Sequence, residues 1–314
     1  MSGTEGFVLA LSGGIGGAKL ALGLCRILPP GALTVVANTG DDFEHLGLSV
    51  SPDLDTLLYT LAGLDNAETG WGRRGETWTF MAALEALGGE TWFKLGDGDL
   101  AAHVERTRRR RAGESLSAVT DDFRRRLRIS SRLLPMSDDP VRTRLLTDEG
   151  WLDFQDYFVR RRCAPAVREI VFDGAAAARP QPEFVAALAD GDLRMVVICP
   201  SNPLISIDPI LSLGGVRDAL RACRAPVVAV SPIIGGKAVK GPTAKMMAEL
   251  GLPVDAGSVA RHYGDILDHY IIDEADLAFA GALDAATTVA RTLMENIADR
   301  EALARVVLGV GRGV

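Results

Sequence analysis

Two short acidic clusters, Asp41-Asp42 and Asp53-x-Asp55, follow a loop that carries four glycines in five residues, Gly13, Gly14, Gly16 and Gly17. Carboxylates beside a glycine loop are the ingredients of phosphate chemistry. Glycines let the backbone close on an anion, and free N–H groups at a helix N-terminus point at it. A hard divalent cation asks for one or two carboxylates, with water and phosphate oxygens completing its shell. An acid in the same place can accept the proton of an attacking hydroxyl. Helix capping by Asp53 and Asp55, and a simple turn at Asp41-Asp42, are the plainer readings of the same residues.

The loop matches neither common fingerprint. Gly14-x-Gly16 leads to Lys19, where a dinucleotide fold places Gly or Ala. Gly13 and Ala18-Lys19-Leu20 lack the second glycine and the Ser/Thr of a P-loop. Asp41 or Asp42 also suits the acid that binds a ribose. Two chemistries therefore stay open at this point: an NAD(P)-dependent oxidoreductase and a Mg2+-dependent transfer.

The elements that must position these residues alternate. An apolar run at 7–11 enters the glycine loop, and a helical pattern follows to Pro29-Pro30-Gly31. Residues 33–37 are a second all-apolar strand, ending in Asn38-Thr-Gly-Asp-Asp42. Ser51-Pro52 reads as an N-cap and first helical turn, and a further helix is expected over 77–87. Residues 92–95 read as a short strand ending in Gly96-Asp-Gly-Asp99. The arginine-rich run from 103 to 132 reads as two solvated helices capping the sheet, with 106–111 a solvent-facing stripe. Residues 133–173 lose the rhythm and carry a hairpin across 147–150. Strands at 194–199 and 225–230 end in Pro200-Ser-Asn-Pro203 and Ser231-Pro-Ile-Ile-Gly-Gly-Lys237. Helices are expected at about 243–250, 258–263 and 286–299.

The fold expected is one α/β domain, a Rossmann-like and mostly parallel sheet with helices on both faces and a small α+β insertion at 133–173. In such a sheet, the strand C-termini share one rim where ligands bind. Five polar loops fall there: Ser12-Gly13, 38–42, Asp97 with Asp99, Ser201-Asn202, and 231–237. A net charge of −7 argues against nucleic acid. No apolar run approaches membrane length, and no signal-peptide pattern is visible, so a cytoplasmic location is expected. The 4 cysteines include no Cys-x-x-Cys pair, and the 4 histidines no i, i+4 pair, which disfavours a zinc site.

These motifs together resemble the 2-phospho-L-lactate transferase family (CofD) of coenzyme F-420 biosynthesis. The resemblance rests on Ser12–Lys19, Asn38–Asp42, Ser51–Thr56, Lys94–Asp99, Leu134–Pro140, Phe154–Asp156, Pro200–Pro203 and Ser231–Lys237. It implies transfer of a phospho-three-carbon-acid group from a donor joined to GMP through a diphosphate. The acceptor is the ribityl hydroxyl of 7,8-didemethyl-8-hydroxy-5-deazariboflavin, and GMP leaves. It also implies Mg2+ at Asp41 and Asp53, and deazaflavin contacts from Asp55 and Lys94. Asp41 or Asp42 is the expected base. Gly13, Gly14, Gly16, Gly17, Lys19, Asn38, Ser201, Asn202, Gly235, Gly236 and Lys237 are the expected donor and phosphate contacts. A homodimer is expected, through the arginine-rich helices or the hairpin. One departure is Gly98, where the family often has a basic residue between the two acids.

Overall fold

The chain lays down its strands so that the glycine loop falls where the sheet reverses direction of growth. The computed structural model describes residues 6–66 and 71–310. In chain order the strands are β1 (Phe7–Ser12), β2 (Leu33–Ala37), β3 (Phe43–His45), β4 (Leu48–Val50), β5 (Arg132–Pro135), β6 (Arg142–Thr147), β7 (Gly150–Asp153), β8 (Val167–Asp173), β9 (Leu193–Ile198), β10 (Val227–Val230), β11 (Ile233–Ile234), β12 (Lys237–Ala238), β13 (His269–Asp273) and β14 (Ala286–Ala290). Seven of them form one sheet in the order β14-β13-β10-β9-β1-β2-β5. Every pairing in it is parallel. The chain builds outward from β1 to β5, then returns to start the other wing at β9. The switch point therefore lies between β1 and β9, and a crevice opens there at the strand C-termini.

Both faces of the sheet are covered, which is why its central strands β1, β2, β9 and β10 are mostly apolar. Val8 and Ala10 of β1 pack in one buried cluster with Leu20 and Leu24. Leu9 and Leu11 pack in the other with Phe184 and Val259. Leu20 and Leu24 belong to α1 (Gly14–Ile27), which starts directly after β1. Next come α2 (Pro52–Leu61), α3 (Thr79–Ala86), α4 (Asp97–Arg111) and α5 (Leu116–Arg126). The antiparallel unit β7-β6-β8 stands apart from the main sheet, with the hairpin joined at Thr147 and Gly150.

Four expectations change. Residues 92–95 form no strand; the chain is irregular there and α4 begins at Asp97. Residues 286–290 are not helical. They form the edge strand β14, where Thr287, Thr288 and Val289 favour extended backbone, and the last helix is Ile297–Val310. The segment from 133 contributes β5 to the main sheet before the antiparallel unit begins. Arg106, read as part of a solvated stripe, is 1% exposed.

The helix Ile297–Val310 lies along α1. Their close approach depends on Gly23, where an added Cβ would stand 2.2 Å from the carbonyl oxygen of Arg300. Backbone cannot swing aside as a side chain does. Gly23→Ala is therefore expected to cost about 1–3 kcal/mol through overpacking. Urea unfolding checks this: the midpoint falls while the slope stays constant.

Candidate active site

At the switch point the end of β1 and the loop after β9 are stitched together. The Ser201 hydroxyl accepts from Gly13 N at 3.1 Å and donates to Gly13 O at 2.8 Å. A helix leaves its first four N–H groups without intrahelical partners, and here α1 has no side-chain cap from its own N-cap, Gly13. Asp53 supplies one from α2: its Oδ1 accepts from Gly14 N at 2.6 Å. Gly14, at φ +63°, has the left-handed backbone that brings this amide round. Gly16 cannot carry a side chain, because a Cβ would meet the Pro200 carbonyl oxygen at 2.5 Å.

Asn38, fully buried at the end of β2, joins the two acids. Its Nδ2 donates to Asp41 Oδ1 at 2.9 Å and to Asp53 Oδ2 at 3.0 Å. Its Oδ1 accepts from Gly40 N at 2.7 Å, closing the turn that presents Asp41. Both carboxylates are buried, at 7% and 6% exposure, and no basic side chain among the described residues hydrogen-bonds to either. Burial holds Asp41 well above the ordinary carboxylate range, with Asp53 and then Asp42 adding repulsion. Burial likewise pushes Asp53 up to about 6. A cation beside them would relieve that cost. Asp41 and Asp53 are the side chains here that could hold a hard divalent cation, which needs few protein carboxylates.

The crevice itself is a cavity of about 600 Å3 with two kinds of lining. One is polar: Gly13, Gly14, Gly16, Asp41, Asp53, Ser201 and Asn202. The other is aromatic: Trp71, Trp92, Phe93, Phe154 and Phe158. Phe154 and Phe158 stack at 5.4 Å, and Phe93 meets Phe43 edge-on at 4.8 Å, so this wall is braced from behind. Lys19, Lys94 and Lys240 border the space. Lys19 Nζ, occupying the third-glycine position, donates to the Met294 carbonyl at 2.7 Å. Burial lowers its pKa, as do Arg300 and Lys240.

Several residues expected at the site lie elsewhere. Gly17 is a packing glycine whose Cβ would meet the hydroxyls of Ser12 and Ser201. Asn38 acts from behind the acids. Asp42 accepts from Ser51 Oγ at 2.8 Å and borders an adjoining cavity instead; Ser51 consequently does not cap α2. Asp55 does not line the crevice, because Arg106 takes both its oxygens. Gly235 and Gly236, at φ +55° and +73°, make the tight turn of the β11–β12 hairpin, with Lys237 exposed beside it. Lys240, three residues on, borders the cavity in its place. Asp97 holds the start of α3, accepting from Phe80 N at 3.0 Å, and Asp99 accepts from Tyr59 OH at 2.6 Å. Neither is on the rim. Beside Gly98, Arg73 donates to its carbonyl at 2.9 Å, and a side chain there would meet the Glu76 carboxylate and then Arg73. Sequence reasoning missed Ser206, Thr243 and Thr292 and gave Gln155 no role, whereas Ser231 fell in an expected rim loop; all five are at the cavity. Ser231 was legible as a strand-end residue, whereas Thr292 had no motif to mark it.

The fold and this site define a Rossmann-like protein with a crevice at the switch point of its sheet, lined by a glycine loop, buried acids and aromatic side chains. Comparison with known proteins agrees. Residues 8–306 match the model of the family described as 2-phospho-L-lactate transferase CofD, and the chain belongs to that family. The phosphoenolpyruvate transferase of Kitasatospora aureofaciens is 43% identical over 306 residues, 95% of each chain. The 2-phospho-L-lactate transferase of Methanothermobacter thermautotrophicus is 38% identical over 309 residues, covering 97% of this chain and 98% of that one. A crystal structure of a UPF0052-family protein from Bacillus halodurans shares the fold, with a TM-score of 0.63 at 14% identity, over 98% of this chain and 100% of its own. Among the described residues no helix is long and apolar enough to cross a membrane.

The buried acids set a pH dependence of stability. Unfolded aspartates titrate near pH 4, whereas Asp53 does so at about 6 and Asp42 at about 7 in the fold. Across that window the native state binds more protons than the unfolded one, so stability falls as pH rises. Metal-free protein is expected to lose melting temperature between about pH 5 and pH 8, and Asp53→Asn to flatten the lower part of that slope. Calorimetry with and without Mg2+ checks it: the gain from Mg2+ grows with pH.

Proposed function

We propose that the chain transfers a phosphoenolpyruvyl group from a GMP-diphosphate-linked donor to the ribityl hydroxyl of 7,8-didemethyl-8-hydroxy-5-deazariboflavin. This is the coenzyme F-420 branch of the CofD chemistry. The observation that carries it is a single cavity lined by the Asn38-bridged acids and the glycine loop together with a set of aromatic side chains. The name of the Kitasatospora relative supports phosphoenolpyruvate over phospholactate or phosphoglycerate as the acid.

The described residues suit Mg2+, since Asp41 and Asp53 are both raised by burial and border the cavity together. Bound there, Mg2+ would neutralise diphosphate charge and ease departure of GMP. The protein's own part is positioning. The first-turn amides of α1, with Ser201 and Asn202, hold the phosphates; Lys19 and Lys240 balance their charge. Trp92, Phe93, Phe154 and Phe158 hold the tricyclic acceptor and exclude water, with Lys94 at its polar edge. Asp41, rather than Asp42, takes the ribityl proton, because Asp41 borders the cavity. The ribityl oxygen bonds to the phosphorus bearing the acid, the bond from that phosphorus to GMP breaks, and a phosphodiester remains.

Asp41→Asn is expected to lower kcat by about 10²–10⁴-fold at saturating Mg2+, the usual weight of a general base. Unchanged turnover removes Asp41 from both roles. Lys94→Ala is expected to raise the acceptor KM about tenfold, worth ~1.4 kcal/mol of binding. Mass spectrometry of the product made with each candidate donor decides the acid: mass corresponding to the phosphoenolpyruvyl diester supports the assignment, and product only from phospholactyl donor overturns it. Thermal shifts with GDP plus Mg2+ against NADH separate this reading from the oxidoreductase alternative.

A further inference from the structure

α2 carries two acids that point to different partners. Asp53 goes to Gly14 N and Asn38, at the cavity. Asp55, two residues on, goes to α4, where the Arg106 guanidinium engages both its oxygens. Arg106 also donates to Ser49 O at 3.2 Å, so one buried side chain grips the residues leading into α2 and its first turn. The link continues along both helices. His103 Nδ1 lies 3.2 Å from Arg106 NH1, and His103 Nε2 lies 3.2 Å from Asp99 Oδ2. Asp99 accepts from the Tyr59 hydroxyl at 2.6 Å. Asp55 and Tyr59 are four apart on α2; Asp99, His103 and Arg106 fall on one face of α4. Lys94, on the cavity wall, is three residues before α4 begins.

We propose that the Asp55–Arg106 pair is a positioning device. It fixes the first turn of α2 so that Asp53 stands at the glycine loop. Asp55 thus acts through Asp53 rather than by touching the deazaflavin. Stability alone does not account for the pair. Removing both charges from water is costly, and a well-packed apolar pair of similar size often does as well or better, while removing one partner strands a buried charge. A guanidinium held as a fork by a carboxylate gives direction that an apolar contact lacks. The site reached from this pair is of a kind in which small displacements matter, since a shift on the order of 1 Å can cost about a hundredfold in rate.

The inference rests on the cation-dependent transfer proposed above, so the test includes a readout independent of turnover. The double variant Asp55→Leu/Arg106→Met removes both charges together. Its Mn2+ affinity, read by electron paramagnetic resonance of free Mn2+, is expected to fall at least tenfold, with kcat lowered similarly. The melting temperature holds and the acceptor KM stays within threefold. Should the double variant not fold, Arg106→Lys keeps the charge but not the fork, and is expected to weaken Mn2+ binding at least threefold. Mn2+ affinity and kcat both unchanged in a folded variant overturn the proposal. So does an increase confined to the acceptor KM, which makes Asp55 a substrate contact. A parent chain that binds no Mn2+ overturns the cation reading instead, and the split between kcat and acceptor KM then decides the role of the pair.

Discussion

The site is built around one unfavourable arrangement: two buried carboxylates, Asp41 and Asp53, sharing the amide of a single asparagine. Burial raises the pKa of each, and for Asp41 the neighbouring charges of Asp53 and Asp42 add to the rise. Asn38 offers both its N–H bonds, Gly14 offers its amide, and the N-terminal end of α1 lends its dipole. These partners reduce the cost without cancelling it. What remains is an affinity for positive charge, set at the mouth of a crevice that the strand order creates.

Other features follow from holding that arrangement in place. β2 must end in a residue short enough to turn back into the sheet edge, which Asn38 does. α2 must begin where its first turn reaches the loop after β1, so Pro52 and the grip of Arg106 on Asp55 and Ser49 matter. The glycines differ in duty. Gly14 turns the chain, Gly16 lets the Pro200 backbone approach, and Gly17 leaves room for two serine hydroxyls. A single label of phosphate loop covers three separate steric demands.

Much of this was legible in the sequence, for physical reasons. Strands buried on both faces must be apolar, so β1, β2, β9 and β10 stood out, and the polar residues after them marked the rim. Asp41 and Asp53 fell out of that pattern together with the loop. Failures came where local signals are ambiguous. Trp92-Phe93 looks like strand but serves as cavity wall, its side chains packed on Phe43 and His45. Ala286–Ala290 has moderate apolar content that suits either state, and pairing with β13 decided it. Arg106 sits in a run of arginines, and nothing local distinguishes the one that a distant carboxylate draws inside. In the loop after β10, the conspicuous Gly-Gly-Lys motif makes a hairpin turn, and the less conspicuous Lys240 reaches the cavity.

The bond from Lys19 to the Met294 carbonyl links residues 275 positions apart, and the helix Ile297–Val310 packs on α1 just beyond it. The surroundings of the glycine loop are thus completed only by residues made 275 positions later. During synthesis, the nascent chain leaves one flank of α1 bare until Met294 and the helix after it have left the ribosome. Contacts of such long sequence separation form slowly, because the intervening chain must first be ordered. A chain cut before residue 294 would hold every acid of the site and lack the surface against which α1 settles.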